Sequence, residues 1–170
     1  MFENQTEGVL FVRLIMEGTP FMGDSASESS NLKMSVKYST LTGEPIDIAS
    51  LQQGTDFMAA VTITHPGQLS RYTNMALTQI FPSGWEIRNT RMEDTPSVFE
   101  VNTPDYRDIR DDRVYSYFDL ERSQSLTFVV LLNATYQGRY YLPSVSCQAM
   151  YNNQIASRKP GQWVQVVGQD

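Results

Sequence analysis

The sequence is short of the residues that surface chemistry usually needs. Histidine occurs once, as His65, and cysteine once, as Cys147. A single cysteine excludes an internal disulfide, so the fold rests on its core. One His and one Cys cannot assemble the usual nitrogen and sulfur ligands of a metal centre. A Ser-His-Asp site would need His65 as its base. That residue stands beside Pro66-Gly67 at the end of an apolar run and is expected to be a solvent-facing turn residue. No serine sits in a Gly-X-Ser-X-Gly elbow. Gly84, Gly138 and Gly161 are isolated turn glycines, not a loop that cradles phosphate. No apolar run approaches the roughly 18 residues of a membrane span.

Charge is sparse too, at 19% of residues, with 13 Lys and Arg against 19 Asp and Glu and a net charge of -6. Without clustered cations the chain is unsuited to nucleic acid or anionic lipid. Arg107-Asp-Ile-Arg-Asp-Asp-Arg113 interleaves its signs and reads as a solvated strand face. Asp108, Asp111 and Asp112 offer carboxylates for calcium, but each has an arginine nearby to compete. A carboxylate pair for glycoside hydrolysis is a spatial feature and stays open. The nine Tyr, eight Phe and two Trp read as core and cross-strand packing before a sugar platform. Cys147, alone in an extended segment, reads as a small buried hydrophobe. The expectation is a domain that is not an enzyme and carries no cofactor.

What is present is strand and turn. Gly8 to Met16, Leu32 to Tyr38, Asp56 to His65 and Tyr72 to Phe81 are short apolar or alternating runs. Asp112 to Leu120, Leu126 to Ala134, Tyr136 to Leu142 and Trp163 to Val167 continue the pattern. A tight turn near Gln137-Gly138 would join the Leu126 and Tyr136 strands. Residues 23–31 read as a polar loop, and 87–106 as a polar excursion with room for a short helix. With no linker and no solenoid repeat, residues 1–170 form a single domain. The expected fold is all-β, an antiparallel β-sandwich of about seven or eight strands. Met1-Phe-Glu-Asn-Gln-Thr-Glu lacks the positive region of a signal peptide. A role outside the cytoplasm would therefore require export within a longer chain.

The last third holds one oddity. Met150-Tyr151 falls on a loop between alternating strands, where large apolar side chains are normally avoided. Either the pair plugs this domain's own core, or it meets something outside it.

Phrases in order along the chain resemble the C-terminal macroglobulin-like domain of bacterial α2-macroglobulins. They are Gly43-Glu-Pro-Ile-Asp, Leu51-Gln-Gln-Gly54 before Phe57-Met-Ala-Ala-Val-Thr-Ile, and Tyr72-Thr-Asn-Met-Ala-Leu. Phe81-Pro-Ser-Gly-Trp-Glu-Ile-Arg-Asn89, Tyr106 to Arg113, Gly138-Arg-Tyr-Tyr-Leu-Pro143 and Ala149-Met-Tyr151 follow. The resemblance covers residues 8 to 167. It implies a macroglobulin-like sandwich within a large periplasmic, lipid-anchored chain that traps proteases after a bait region is cut. Members with a thioester carry it in a separate domain, as Cys followed by Glu and Gln. Here Cys147 precedes Gln148-Ala149, so this chain holds no such motif. In those members a Met-Tyr pair on this domain packs against the thioester, and Met150 and Tyr151 match it. Members with the pair often place an acidic residue before it, where this chain has Gln148-Ala149. In members without a thioester the pair would be an interdomain contact alone. The implied partners are other domains of the same chain, notably a thioester-type domain, and target proteases through the intact protein. Nucleic acid and direct membrane insertion are not expected. A stand-alone adhesion or carbohydrate-binding module is the alternative.

Overall fold

The computed structural model describes residues 8, 9, 11–13, 15, 27–88 and 101–168. Alternating burial is the signature of a strand with one face in a core. Strand β8 (Arg113–Leu120) shows it without fault: Val114, Ser116, Phe118 and Leu120 are buried and their neighbours are not. Strand β4 (Asp56–Thr64) breaks the alternation, because Phe57 to Val61 are all buried. A strand apolar on both faces must be covered on both. Phe57, Ala59, Val61 and Ile63 face the interior. Met58 and Ala60 join Val129 in an outer cluster against which Leu41, Val101 and Leu131 pack.

Among the described residues thirteen strands form three sheets. The four-stranded sheet runs β2 (Lys33–Thr40), β4, β9 (Ser125–Ala134), β6 (Trp85–Arg88). The six-stranded sheet runs β1 (Glu28–Ser30), β12 (Asn152–Lys159), β11 (Val145–Ala149), β5 (Tyr72–Ile80), β8, β7 (Tyr106–Ile109). The third consists of β10 (Gly138–Leu142), β13 (Gln162–Val167) and β3 (Ser50–Gln52). All pairings are antiparallel except β13 with β3, which is parallel.

The two larger clusters of buried side chains explain the layering. Met34, Val61, Ile63 and Phe128 of the four-stranded sheet pack on Tyr72, Met75, Leu77, Phe118, Cys147 and Ile155 of the six-stranded one. Phe57, Trp85, Val130 and Leu132 pack on Leu51, Leu142, Val164 and Val166 of the three-stranded sheet. One sheet thus faces the other two side by side.

Those two sheets share a ribbon. Register runs from Gly138 opposite Val166 to Leu142 opposite Gln162, and resumes with Val145 opposite Lys159 through to Gln148 opposite Ala156. Between these stretches the arms turn from one sheet into the other at Pro143 and at Pro160-Gly161. Proline donates no ladder hydrogen bond, which suits a break in pairing. A Cβ on Gly161 would collide with the Leu142 carbonyl oxygen, so glycine lets the two arms cross.

The sandwich holds, with corrections. Thirteen strands replace seven or eight: β1, β3, β6 and β7 have only three or four residues and too little length to display a period, and β11 and β12 lie between the runs read from the sequence. Strand β1 lies within the stretch read as polar loop. The described residues contain no helix, and residues 89–100 of the excursion lie outside them. The described residues of Gly8 to Met16 are in no strand, and Phe11 is 91% exposed. Their composition favours a strand, but no sheet edge pairs with them, and β-propensity without a partner is not enough. Strands β9 and β10 are not a hairpin: they lie in different sheets, and the chain crosses between layers at Gln137-Gly138. Gly138, at φ 149°, takes a conformation that side chains disfavour.

Candidate functional site

Strands β11 and β12 run antiparallel and turn back at Met150-Tyr151. This turn ends the shared ribbon. Its other flank is fixed as well, since β11 pairs with β5 from Ser146 opposite Thr78 to Ala149 opposite Met75. Register between β11 and β12 shifts after Gln148, so that Ala149 faces Asn152 and the turn stays short. Ala149 and Ile155 are buried beneath it. Met150 is 48% exposed and Tyr151 82%. The pair does not plug this domain's core; it stands on the surface.

Hydrogen bonds hold the turn from two sides. The Met150 N–H donates to the Asn74 carbonyl at 3.0 Å. On the other side the Gln154 carbonyl accepts from Ser30 Oγ at 2.7 Å and Asn31 Nδ2 at 3.0 Å. The Tyr72 hydroxyl donates to the Asn31 carbonyl at 2.7 Å, and burial raises the pKa of that phenol. Arg71, Tyr72, Thr73, Ala149, Tyr151, Asn152 and Ile155 line a hollow of about 220 Å³ beside the Tyr151 ring. Asn74, Gln154 and Tyr72 were not singled out from the sequence. Asn74 and Gln154 contribute through backbone carbonyls and Tyr72 through a hydroxyl that reaches the Asn31 carbonyl, pairings that no residue pattern announces.

His65 corrects another expectation. It is 2% exposed, not solvent-facing, and stacks on Tyr72 with centroids 3.8 Å apart. Its Nδ1 accepts the Gly67 N–H at 2.9 Å, and Nε2 meets the Ser70 carbonyl at 2.9 Å. The turn at Pro66-Gly67 supplies one partner and the segment that follows it, at Ser70, the other, so burial costs no unpaired group. The ring is therefore part of the packing beneath the turn.

The other candidates are dispersed. Cys147 is buried as expected, and desolvation pushes its thiol up to about 12, which leaves no thiolate for chemistry at neutral pH. Asp108 pairs with Arg110 and Asp112 with Arg113. The Arg113 hydrogen bond holds the Asp112 carboxyl below its ordinary range. Arg107 departs from a solvated face: its side chain turns inward, donates to the Val129 carbonyl at 2.9 Å, and is lowered in pKa by burial. Among the described residues no three of His, Cys, Asp and Glu group so as to hold a metal ion. Of the aromatics, Tyr38, Phe57 and Trp85 meet edge to face in the core. Trp163 is half-exposed, with Tyr141 at its edge and the Arg139 guanidinium 4.8 Å above its ring.

The family model described as the bacterial alpha-2-macroglobulin MG10 domain matches residues 32–154, well over half of the chain. No curated protein matches it. Among solved structures, a mutant of Salmonella alpha-2-macroglobulin is similar at 19% identity and TM-score 0.75, over 84% of this chain and 10% of that one. The native conformation of Escherichia coli alpha-2-macroglobulin is similar at 17% identity and TM-score 0.76, over 88% of this chain and 10% of that one. A native Escherichia coli fragment from domain MG7 to the C-terminus gives 16% identity and TM-score 0.74, over 85% and 25%. At such identities the likeness is one of fold. The chain spans about a tenth of the two longer proteins.

Proposed function

The chain belongs to the bacterial alpha-2-macroglobulin MG10 domain family, and from this we propose that it is a non-catalytic C-terminal domain of a protease-trapping inhibitor. In this reading it packs on a neighbouring thioester domain and shields it with Met150 and Tyr151. The parent chain would be periplasmic and lipid-anchored, and target proteases would meet this domain only through the intact protein.

The observation that carries the reading is the exposure of Met150 and Tyr151 at the end of a ribbon paired on both flanks. A thioester survives only while water is kept from it. A flexible thioether and a flat ring can cover such a group and still be withdrawn. Burying each side chain contributes roughly 1.5–3 kcal/mol, enough to shield and little enough to release.

The test uses the intact protein. Tyr151→Ala is expected to hasten spontaneous loss of reactivity toward methylamine. An unchanged loss rate would sink the shielding role. A stand-alone carbohydrate-binding module would have to use a surface such as Trp163, whose ring Arg139 already covers. A glycan array on the chain is accordingly expected to give no hit.

A further inference from the structure

The Met150-Tyr151 turn is held through a kink in the neighbouring strand. Where β5 pairs with β8, Tyr72 faces Leu120 and Met75 faces Phe118, with a register shift between. Thr73 and Asn74 together therefore oppose the single residue Asp119, which is a β-bulge. The bulge has a reason in the sequence. Tyr72 and Met75 are both buried, yet an odd number of positions separates them, so a regular strand would point them to opposite faces.

The bulge also has a consequence. Thr73 and Asn74 are exposed, and Asn74 adopts a left-handed φ of 55°. Asparagine tolerates that region better than most residues, but a surface kink of this kind persists only if something holds it. Asp119 does so. One of its carboxylate oxygens accepts the Asn74 N–H at 2.8 Å and the other accepts Arg71 Nη2 at 2.7 Å. Arg71 is steadied in turn by Glu121 at 3.2 Å. With its N–H held by Asp119, Asn74 presents its carbonyl to the Met150 N–H. The contact order is Asp119 to Asn74 to Met150.

We propose that Asp119 is a positioning residue, which clamps the β5 bulge and thereby sets the orientation in which Met150 and Tyr151 meet a partner domain. The last part rests on the reading that the pair covers a thioester domain; the clamp itself does not.

Hydrogen exchange on the chain tests the clamp. Asp119→Leu removes the acceptor and is expected to speed exchange of the Met150 amide by about tenfold, as for a local opening, with Val129 and Val130 in β9 unchanged. Asp119→Asn keeps an oxygen for the Asn74 N–H and is expected to restore wild-type exchange at Met150. No change at Met150 in Asp119→Leu, or an equal rise throughout β9, overturns the proposal. Should Asp119→Leu fail to fold, adding Asn74→Gly relieves the left-handed φ. That double variant must still show the faster Met150 exchange. In the parent protein, Asp119→Leu is expected to hasten loss of methylamine reactivity and Asp119→Asn to leave it as in wild type. A loosened Met150 with an unchanged loss rate, or a parent with no methylamine-reactive group, overturns the shielding reading and leaves the clamp standing. A Met150 amide that does not respond overturns the clamp, whatever the thioester does.

Discussion

A lone histidine next to Pro-Gly invites a reading as a surface residue, and His65 shows why that fails. Turn chemistry identifies where the chain reverses but not what the reversed segment covers. Here it folds over the ring, and Gly67 and Ser70 satisfy both nitrogens. His65→Ala removes a buried, stacked ring and its hydrogen bonds to Gly67 and Ser70, which is expected to cost about 2–3 kcal/mol. Denaturant melts would measure it; a loss under about 0.5 kcal/mol, the range of surface substitutions, would show that the stack on Tyr72 matters little. Tyr151 is the opposite case. Its sequence context marked it as a large side chain on a loop, and the structure keeps it exposed. The sequence leaves open whether the pair turns into the core; the structure places it on the surface, because a short turn between two paired strands leaves its residues nowhere to go.

Among the elements, strands with apolar periodicity are legible and the rest are not: β12 (Asn-Asn-Gln-Ile-Ala-Ser-Arg-Lys) has eight residues but no alternating apolar face, and escapes the sequence reading. Strands β2, β4, β5, β8 and β9 each have eight to ten residues, enough for apolar periodicity to show. Strands β1, β3, β6 and β7 are defined by their partners, and a three-residue segment such as Glu28–Ser30 carries no pattern of its own. The same limit hid the β5 bulge, which depends on which residue of β8 lies opposite. It also hid the crossing of the ribbon arms. Gly161 looked like any turn glycine, yet an added methyl there would meet the Leu142 carbonyl, which is backbone and cannot step aside. Gly161→Ala is expected to destabilise the chain by about 1–3 kcal/mol through overpacking. Thermal unfolding of that variant gives the answer: an unchanged midpoint would mean the arms can separate freely.

For the molecule as a whole, Cys147 is a built-in reporter. It lies in the interior between the four- and six-stranded sheets, fully buried, so a thiol reagent can reach it only when the layers part. Alkylation is expected to be slow at neutral pH and to track global unfolding in denaturant; rapid labelling of the native chain would refute this. The same burial sets a sign for alkaline pH. The folded thiol is pushed up from 9.0 to about 12, so it stays neutral where the unfolded chain ionises. Its contribution to stability is whole below pH 9.0 and drains away as pH rises toward about 12. Within that window the loss is roughly 1 kcal/mol per pH unit. Melts of the chain and of a Cys147→Ala variant would separate this from tyrosine ionisation.

The ribbon that joins two sheets also decides how its tip answers a pull. Force applied to Tyr151 along the strands draws both arms of the ribbon together and loads in shear the ladders on their flanks, Ser146 to Ala149 on β5 and Ala156 to Arg158 on β1. Force applied across them peels the tip from β5 bond by bond, starting with the one that Met150 makes to Asn74. A sideways pull on Tyr151 is therefore expected to free the tip at a lower force than a lengthwise one, which must break the flanking ladders together.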